Sequence, residues 1–274
     1  MKRLIVIAGP TAVGKTAHAV QLAQQLGTEI ISCDSRQFYS ELHIGVARPT
    51  DDELTAVPHH FIACRSVTNP YNIFDYQQDA INLTMRLFES HDTVIAVGGS
   101  GLYIDALLHG VSRMPDPTPE LRSSLQQMPI EEKRALLLKL DPDYYATVDL
   151  RNPVRLQRAL EVCITSGRPY SSFHTKHETR PFDTELQVLT LPPDVLRQRI
   201  DRRVEMMMQE GLLDEVRGLT AYRDLPTLRT VGYRELFPVV DGIARLDEAV
   251  ADIKLNTWHY ARKQMTWLRR YGKK

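Results

Sequence analysis

Eight residues, Gly9-Pro10-Thr11-Ala12-Val13-Gly14-Lys15-Thr16, restrict what this chain can become more than any other stretch. They fit G-x-x-x-x-G-K-[ST] and follow directly on the apolar run Leu4-Ile5-Val6-Ile7-Ala8, the strand, glycine-rich turn and helix of a phosphate-binding loop. Such a turn points successive backbone N–H groups inward, and the helix behind it aims the positive end of its dipole the same way. Lys15 adds a mobile cation. A diphosphate or the phosphates of a nucleotide such as ATP are expected on residues 9–16 together with Mg2+, with the Thr16 hydroxyl as the protein's ligand to the metal. The helix is legible behind the turn: Ala19, Leu22, Ala23 and Leu26 keep a helical period and Gly27 stops it. The plainer alternative is a glycine-rich turn that packs a helix on a strand and binds nothing. The loop leaves the reaction open, because kinases, nucleotide hydrolases and some group transferases hold phosphates alike.

A chain of 274 residues, 43% of them hydrophobic, has room for about two domains, or for one sheet domain with an insertion. The 34 basic and 34 acidic side chains cancel, so any nucleic-acid footprint must be local. Cys33, Cys64 and Cys163 are too far apart for a C-x-x-C pair and read as reduced thiols of a cytoplasmic protein. The N-terminal apolar run is too short for a signal sequence, and no stretch is long enough to span a membrane.

A short apolar run, Glu29-Ile30-Ile31-Ser32-Cys33, ends in Asp34-Ser35-Arg36-Gln37 and suits a buried parallel strand that delivers Asp34 to its C-terminal edge. Ligands bind at that edge of open parallel sheets, so Asp34 is expected in one crevice with Lys15 and Thr16; the bland alternative is a carboxylate that caps the next turn. Adjacent histidines His59 and His60 alternate faces on a short strand and make poor partners for one metal. A helix is expected from Tyr76 to Ser90, then a strand at Thr93-Val94-Ile95-Ala96-Val97 that ends in Gly98-Gly99-Ser100-Gly101-Leu102-Tyr103. There a ligand can approach the backbone and Ser100 can bond it, or the glycines only make a tight turn.

From Ser112 the composition shifts. Met114-Pro115-Asp116-Pro117-Thr118-Pro119 marks a boundary, helical periodicity runs through Leu140, and residues 112–183 carry 11 basic and 10 acidic side chains. This segment reads as an inserted helical subdomain. In it a helix after Pro153 places Arg155 and Arg158 on one face, where they can grip a phosphate backbone or simply face water. His174 and His177 lack a third ligand nearby. Sheet material returns at Leu186–Leu191, and a long helix follows with Leu196, Ile200, Val204 and Met207 inward and Arg199, Arg202 and Arg203 available to a phosphate. The methionine row Met206–Met208 reads as core with an overlapping edge. Residues 254–274 hold seven Lys or Arg, no Asp or Glu, and interleaved Trp258, Tyr260, Trp267 and Tyr271. Such a cationic face with stacking groups suits RNA. A disordered basic tail would account for Lys273 and Lys274 but not for the apolar stripe Trp258, Ala261, Met265 and Leu268.

Taken together, the residues at 9–16, Asp34-Ser35-Arg36-Gln37, Gly45-x-Ala47-Arg48-Pro49, Gly98 to Tyr103, Val154-Arg155-Leu156-Gln157-Arg158, Val231-Gly232-Tyr233-Arg234-Glu235 and Arg262-Lys263-Gln264-Met265-Thr266-Trp267 resemble the tRNA dimethylallyltransferase (isopentenyltransferase) family. Two departures are small: Ser100 stands where the family usually has Thr, and Arg48 where it has Lys. The resemblance implies an α/β fold, a P-loop core with a mostly parallel sheet flanked by helices, formed by residues 1–111 and 184–274, with residues 112–183 as a helical insertion on the tRNA anticodon stem-loop. It implies transfer of a dimethylallyl group from dimethylallyl diphosphate to the exocyclic amine of the adenosine 3′ to the anticodon. By resemblance Asp34, Thr16, Lys15 and Ser100 are catalytic, residues 9–16 hold the diphosphate, Thr16 holds Mg2+, and Asp34 to Gln37, Ser100, Arg122, Val154 to Arg158, Arg262, Lys263 and Gln264 contact tRNA. The missing C-terminal zinc-finger extension implies a bacterial member with no metal but Mg2+. A cytoplasmic monomer is the default expectation.

Three other functions use parts of the same pattern. A small-molecule P-loop kinase would place ATP on the loop and activate a hydroxyl with Asp34. A prenyltransferase acting on free adenine nucleotides would have less use for the insertion or the basic helix. A non-catalytic RNA-binding module would use that helix and have no affinity for diphosphate.

Overall fold

The computed structural model describes residues 2–69, 71–173 and 178–271; His174, His177, Lys273 and Lys274 lie outside them. In chain order the elements begin with β1 (Arg3–Ala8), α1 (Lys15–Leu26), β2 (Ile30–Ser32), α2 (Asp51–Ala56), β3 (His59–His60), α3 (Ile73–Leu87), β4 (Thr93–Gly98) and α4 (Gly101–His109). Helices α5 (Pro119–Gln127), α6 (Ile130–Leu140), α7 (Pro142–Tyr145) and α8 (Pro153–Ser166) follow. The chain ends with β5 (Asp183–Val188), α9 (Pro193–Gln209), α10 (Leu212–Gly218), α11 (Tyr233–Val240) and α12 (Leu246–Leu268). Two compact units result: residues 1–108 with 180–274, and residues 109–179.

The first unit is built on one sheet of order β3-β2-β4-β1-β5, in which every pairing is parallel. Its central strands read as unbroken apolar runs because both faces are covered. Leu4, Val6 and Ala8 face a cluster with Tyr76, Ala80, Ile104 and Leu107 of α3 and α4, while Ile5 and Ile7 face Ala19, Val20 and Ala23 of α1. Leu4 and Ile7 are fully buried, each contributing roughly 1.5–3 kcal/mol. Helix α3 starts at Ile73, three residues before the periodicity suggests, because the Asn72 side chain accepts the Asp75 N–H at 2.9 Å and caps it there.

Parallel pairing brings the ends of β1, β2 and β4 to one edge. Ala8 is level with Gly98, and Ser32 with Val97, so the turn after β4 lies between the phosphate-loop motif after β1 and Asp34 after β2. Helices α9 to α12 share a second core. Val204, Leu212, Tyr233, Leu236 and Ile253 pack with Tyr39 and Leu42; Met207 and Met208 join this cluster, and Met206 is exposed. Glu215 ties the 44–45 turn to α11: it accepts the Ile44 and Gly45 N–H groups at 2.7 and 3.1 Å and the Tyr233 hydroxyl at 2.6 Å. Position 45 must be glycine for this, since a Cβ would lie 2.5 Å from the Tyr233 ring.

The second unit packs α5 to α8 around Leu125, Leu137, Leu156, Ala159 and Leu160. Helical periodicity through Leu140 divides into α5 and α6 at Met128-Pro129, where the proline interrupts it. Helix α8 begins where the sequence places it, with the Asn152 side chain accepting the Arg155 N–H at 3.2 Å and Pro153 in the first turn.

Candidate active site

The phosphate-binding motif leaves β1 at Ala8 and enters α1 at Lys15. The Lys15 ammonium donates to the Pro10 carbonyl at 2.8 Å. Burial pulls its pKa from 10.5 down to about 8, against the pull of the Asp34 carboxylate and with that of the Arg203 guanidinium. Two arginines one turn apart on α9 reach the same loop. Arg199 donates to the Val13 carbonyl at 3.3 Å and Arg203 to the Thr11 hydroxyl at 3.5 Å, while Arg202 is exposed. Burial also lowers the Arg203 pKa, opposed by Asp34. Leu196, Ile200 and Ala261 seat α9 and α12 on Val13 and so aim these guanidiniums.

Asp34 ends β2. Its Oδ1 accepts the Arg36 N–H at 2.9 Å, closing a turn that holds the carboxylate. The Ser35 N–H donates to the Ser100 hydroxyl at 3.2 Å, and that hydroxyl donates to the Ser35 Oγ at 3.3 Å. Gln37 accepts from the Ser32 hydroxyl at 3.1 Å and donates to the Ala47 carbonyl at 2.9 Å, which pins the 45–49 turn beside Asp34.

Two cavities meet here. The smaller, about 210 Å³, is lined by Lys15, Thr16, Asp34, Gln37, Arg203 and Tyr260. The larger, about 410 Å³, is lined by Asp34, Arg36, Arg229, Arg234, Tyr260 and Lys263 among others and has the size of a small-molecule site. Thr11, Asp34, Arg203 and Tyr260 border both. Tyr260 is 41% exposed as a whole, but its hydroxyl end lies near Ser100 and Gln264, where burial, with Asp34 nearby, raises its pKa to about 12. Cations dominate the larger cavity, where Asp34 is the carboxylate among the lining residues. Among the described residues no group of three or more His, Cys, Asp or Glu is set to hold a metal by itself. The Thr16 hydroxyl in the smaller cavity suits Mg2+ held mainly by substrate phosphates and water.

The structure brings Lys15, Thr16, Asp34, Ser35, Arg36 and Lys263 to these cavities and moves several other sequence candidates elsewhere. Ser100 stands behind the Asp34 turn, 8% exposed, and is not among the residues lining either cavity. Gln264, expected to face RNA, borders the smaller cavity but is 7% exposed, with both ends of its amide bonded inside the protein. Its neighbours Arg262 and Lys263 are exposed, because a helix crossing the core buries one face only. In the second unit Leu156 is fully buried in the core, so its side chain is unavailable to RNA. Gln157 donates to Glu161 at 3.0 Å, and Arg158 and Arg122 reach the same carboxylate at 3.4 and 3.7 Å. Val154 and Arg155 stay exposed. The sequence reading gave no role to Arg229 and Arg234. They flank the Val231-Gly232-Tyr233 motif, and that glycine turn among basic residues was the available signal.

The family model for IPP transferase matches residues 37–271, a span that begins after the phosphate-binding motif. tRNA dimethylallyltransferase 1 of Bacteroides thetaiotaomicron is 45% identical over 98% of this chain and 89% of its own. The solved tRNA isopentenylpyrophosphate transferase of Bacillus halodurans superposes with a TM-score of 0.71 at 34% identity, covering 98% of this chain and 87% of that one. A eukaryotic dimethylallyltransferase acting on tRNA gives 0.84 at 27% identity, covering 98% and 70%. With its phosphate cradle and carboxylate at one edge of a parallel sheet and these relatives along nearly its whole length, the chain belongs to the IPP transferase family.

Proposed function

We propose that this chain transfers a dimethylallyl group from dimethylallyl diphosphate to the exocyclic amine of the adenosine 3′ to the anticodon of tRNA. It is a tRNA dimethylallyltransferase, as its relatives are named. One observation carries the reading: Lys15 and Thr16 on one side and Asp34 on the other line a single cavity. Residues 9–16 receive the diphosphate on their inward N–H groups. Lys15, Arg199 and Arg203 offset the negative charge that grows as the allylic C–O bond breaks. Thr16, together with the phosphates, would hold Mg2+, which would supply further neutralisation of that charge. The amine nitrogen attacks the allylic carbon, diphosphate departs, and Asp34 accepts the proton released from nitrogen. An adenine stacked in the anticodon loop cannot reach this depth, so it is extruded into the larger cavity. There Arg36, Arg229 and Lys263 suit the phosphates beside it. Exposed Val154 and Arg155, with the Arg122–Glu161–Arg158 cluster, equip the second unit for the anticodon stem-loop. A monomer acting in the cytoplasm fits this reading.

The test is mass spectrometry of nucleosides from tRNA incubated with the protein and dimethylallyl diphosphate. A dimethylallyl adduct on adenosine is expected. Transfer of phosphate from labelled ATP with no adduct would overturn the reading in favour of a kinase.

A further inference from the structure

Gln264 sits on the basic terminal helix, yet its side chain is buried, at the border of the smaller cavity. Both ends of its amide are engaged. Oε1 accepts the Thr11 N–H at 2.8 Å, and Nε2 donates to the Gly99 carbonyl at 2.9 Å. These partners belong to the two turns that matter most here: Thr11 is part of the cradle, and Gly99 precedes Ser100 at the end of β4. A Cβ on residue 99 would collide with the Gln264 amide nitrogen, so the second glycine of Gly98-Gly99 admits this side chain. Ser100 in turn receives the Ser35 N–H, and Ser35 is bonded to Asp34 through the chain. A continuous path therefore runs from the cradle through Gln264, Gly99 and Ser100 to the carboxylate. Tyr260, one turn earlier on α12, places its hydroxyl near Ser100 and Gln264.

We propose that Gln264 is a positioning residue that sets the distance between the phosphate cradle and Asp34, acting through its bonds to Thr11 and Gly99 rather than by bonding either substrate. The proposal rests on the reading above, in which the diphosphate occupies the cradle and the adenine amine faces Asp34. A bimolecular transfer between two held reactants depends steeply on separation, and a displacement of about 1 Å can cost roughly 100-fold in rate. The amide is well suited to the task. It donates and accepts at once, so it can close on a backbone N–H at one end and a backbone carbonyl at the other. Methionine has a similar length but makes neither bond, whereas glutamate keeps the acceptor toward Thr11 and places a second acceptor against the Gly99 carbonyl.

The experiment uses the full chain with Gln264→Met, and Gly99→Ala as a second route to dislodging the amide. Single-turnover rate at saturating tRNA and dimethylallyl diphosphate, both dissociation constants and the melting temperature are measured. At least one folded variant is expected to lose roughly 30-fold or more in rate, with both dissociation constants within about threefold of the parent. The same change is then made in an Asp34→Asn background, where the loss should shrink to a small residue because the two act as one unit. An unchanged rate overturns the proposal, as does full additivity with Asp34→Asn, which would mark a general structural role. Weakened tRNA binding with a changed salt slope and an intact rate overturns it too and returns Gln264 to the RNA contacts. If Asp34→Asn alone leaves the rate intact, the reading of the site fails first and the proposal falls with it.

Discussion

Asp34 and Lys15 show how far single side chains decide the chemistry. Asp34→Asn keeps the oxygen that accepts the Arg36 N–H but loses basicity. Turnover is expected to fall by roughly 100-fold or more, with donor affinity unchanged when measured by calorimetry; equal loss of both would assign Asp34 to metal binding or folding. Lys15 is held at about 8 by burial, well below its ordinary 10.5. Between these two values the unfolded chain binds more protons than the folded one, so this group's contribution to stability grows as pH rises through the window and is lost as pH falls through 8. Donor binding runs the other way because it needs the charged amine. Affinity for dimethylallyl diphosphate is expected to drop above pH 8, by up to about tenfold per pH unit, and calorimetry in two buffers at pH 9 should show net proton uptake.

Elements fix which of these groups can meet. Helix α8 offers Arg155 to solvent while Glu161, 5% exposed, collects Gln157, Arg158 and the exposed Arg122. Removing charge with Arg155→Gln is expected to lower the slope of log affinity for tRNA against log salt by about 1, read from binding titrations at several salt concentrations. Glu161→Ala is expected to cost the second unit about 1–2 kcal/mol by chemical denaturation, a modest loss because the guanidiniums left behind can reach water. The sequence made β1, β2, β4, the cradle and the start of α8 legible, since each carries a local signature: an apolar run, a glycine spacing, a cap before a proline. Strand β5 runs from Asp183 to Val188, three residues before the expected Leu186–Leu191, because this half-exposed edge strand is set by its pairing with β1. It did not reveal that Gln264 and Leu156 point inward. Both lie in motifs full of basic residues, and which face of a helix is buried depends on partners distant in sequence, such as Thr11 and Gly99 for Gln264. Arg229 escaped for the same reason, because only the packing of α11 and α12 makes its loop a cavity wall.

Across the whole molecule, every cradle residue belongs to the first unit. Dimethylallyl diphosphate at 100 times its dissociation constant is expected to stabilise that unit by about 2.7 kcal/mol. Hydrogen exchange should show added protection within residues 2–108 and 180–271 and none within 109–179; protection confined to the second unit would place the donor elsewhere. The cradle and Asp34 leave strands separated by exactly one other, β4, and two steps across a parallel ladder span roughly 10 Å. That span is set by main-chain hydrogen bonding, so the enzyme carries a ruler made of backbone: evolution can repaint the walls of the cleft with new side chains and alter what it admits, while the gap between leaving group and base keeps its gauge.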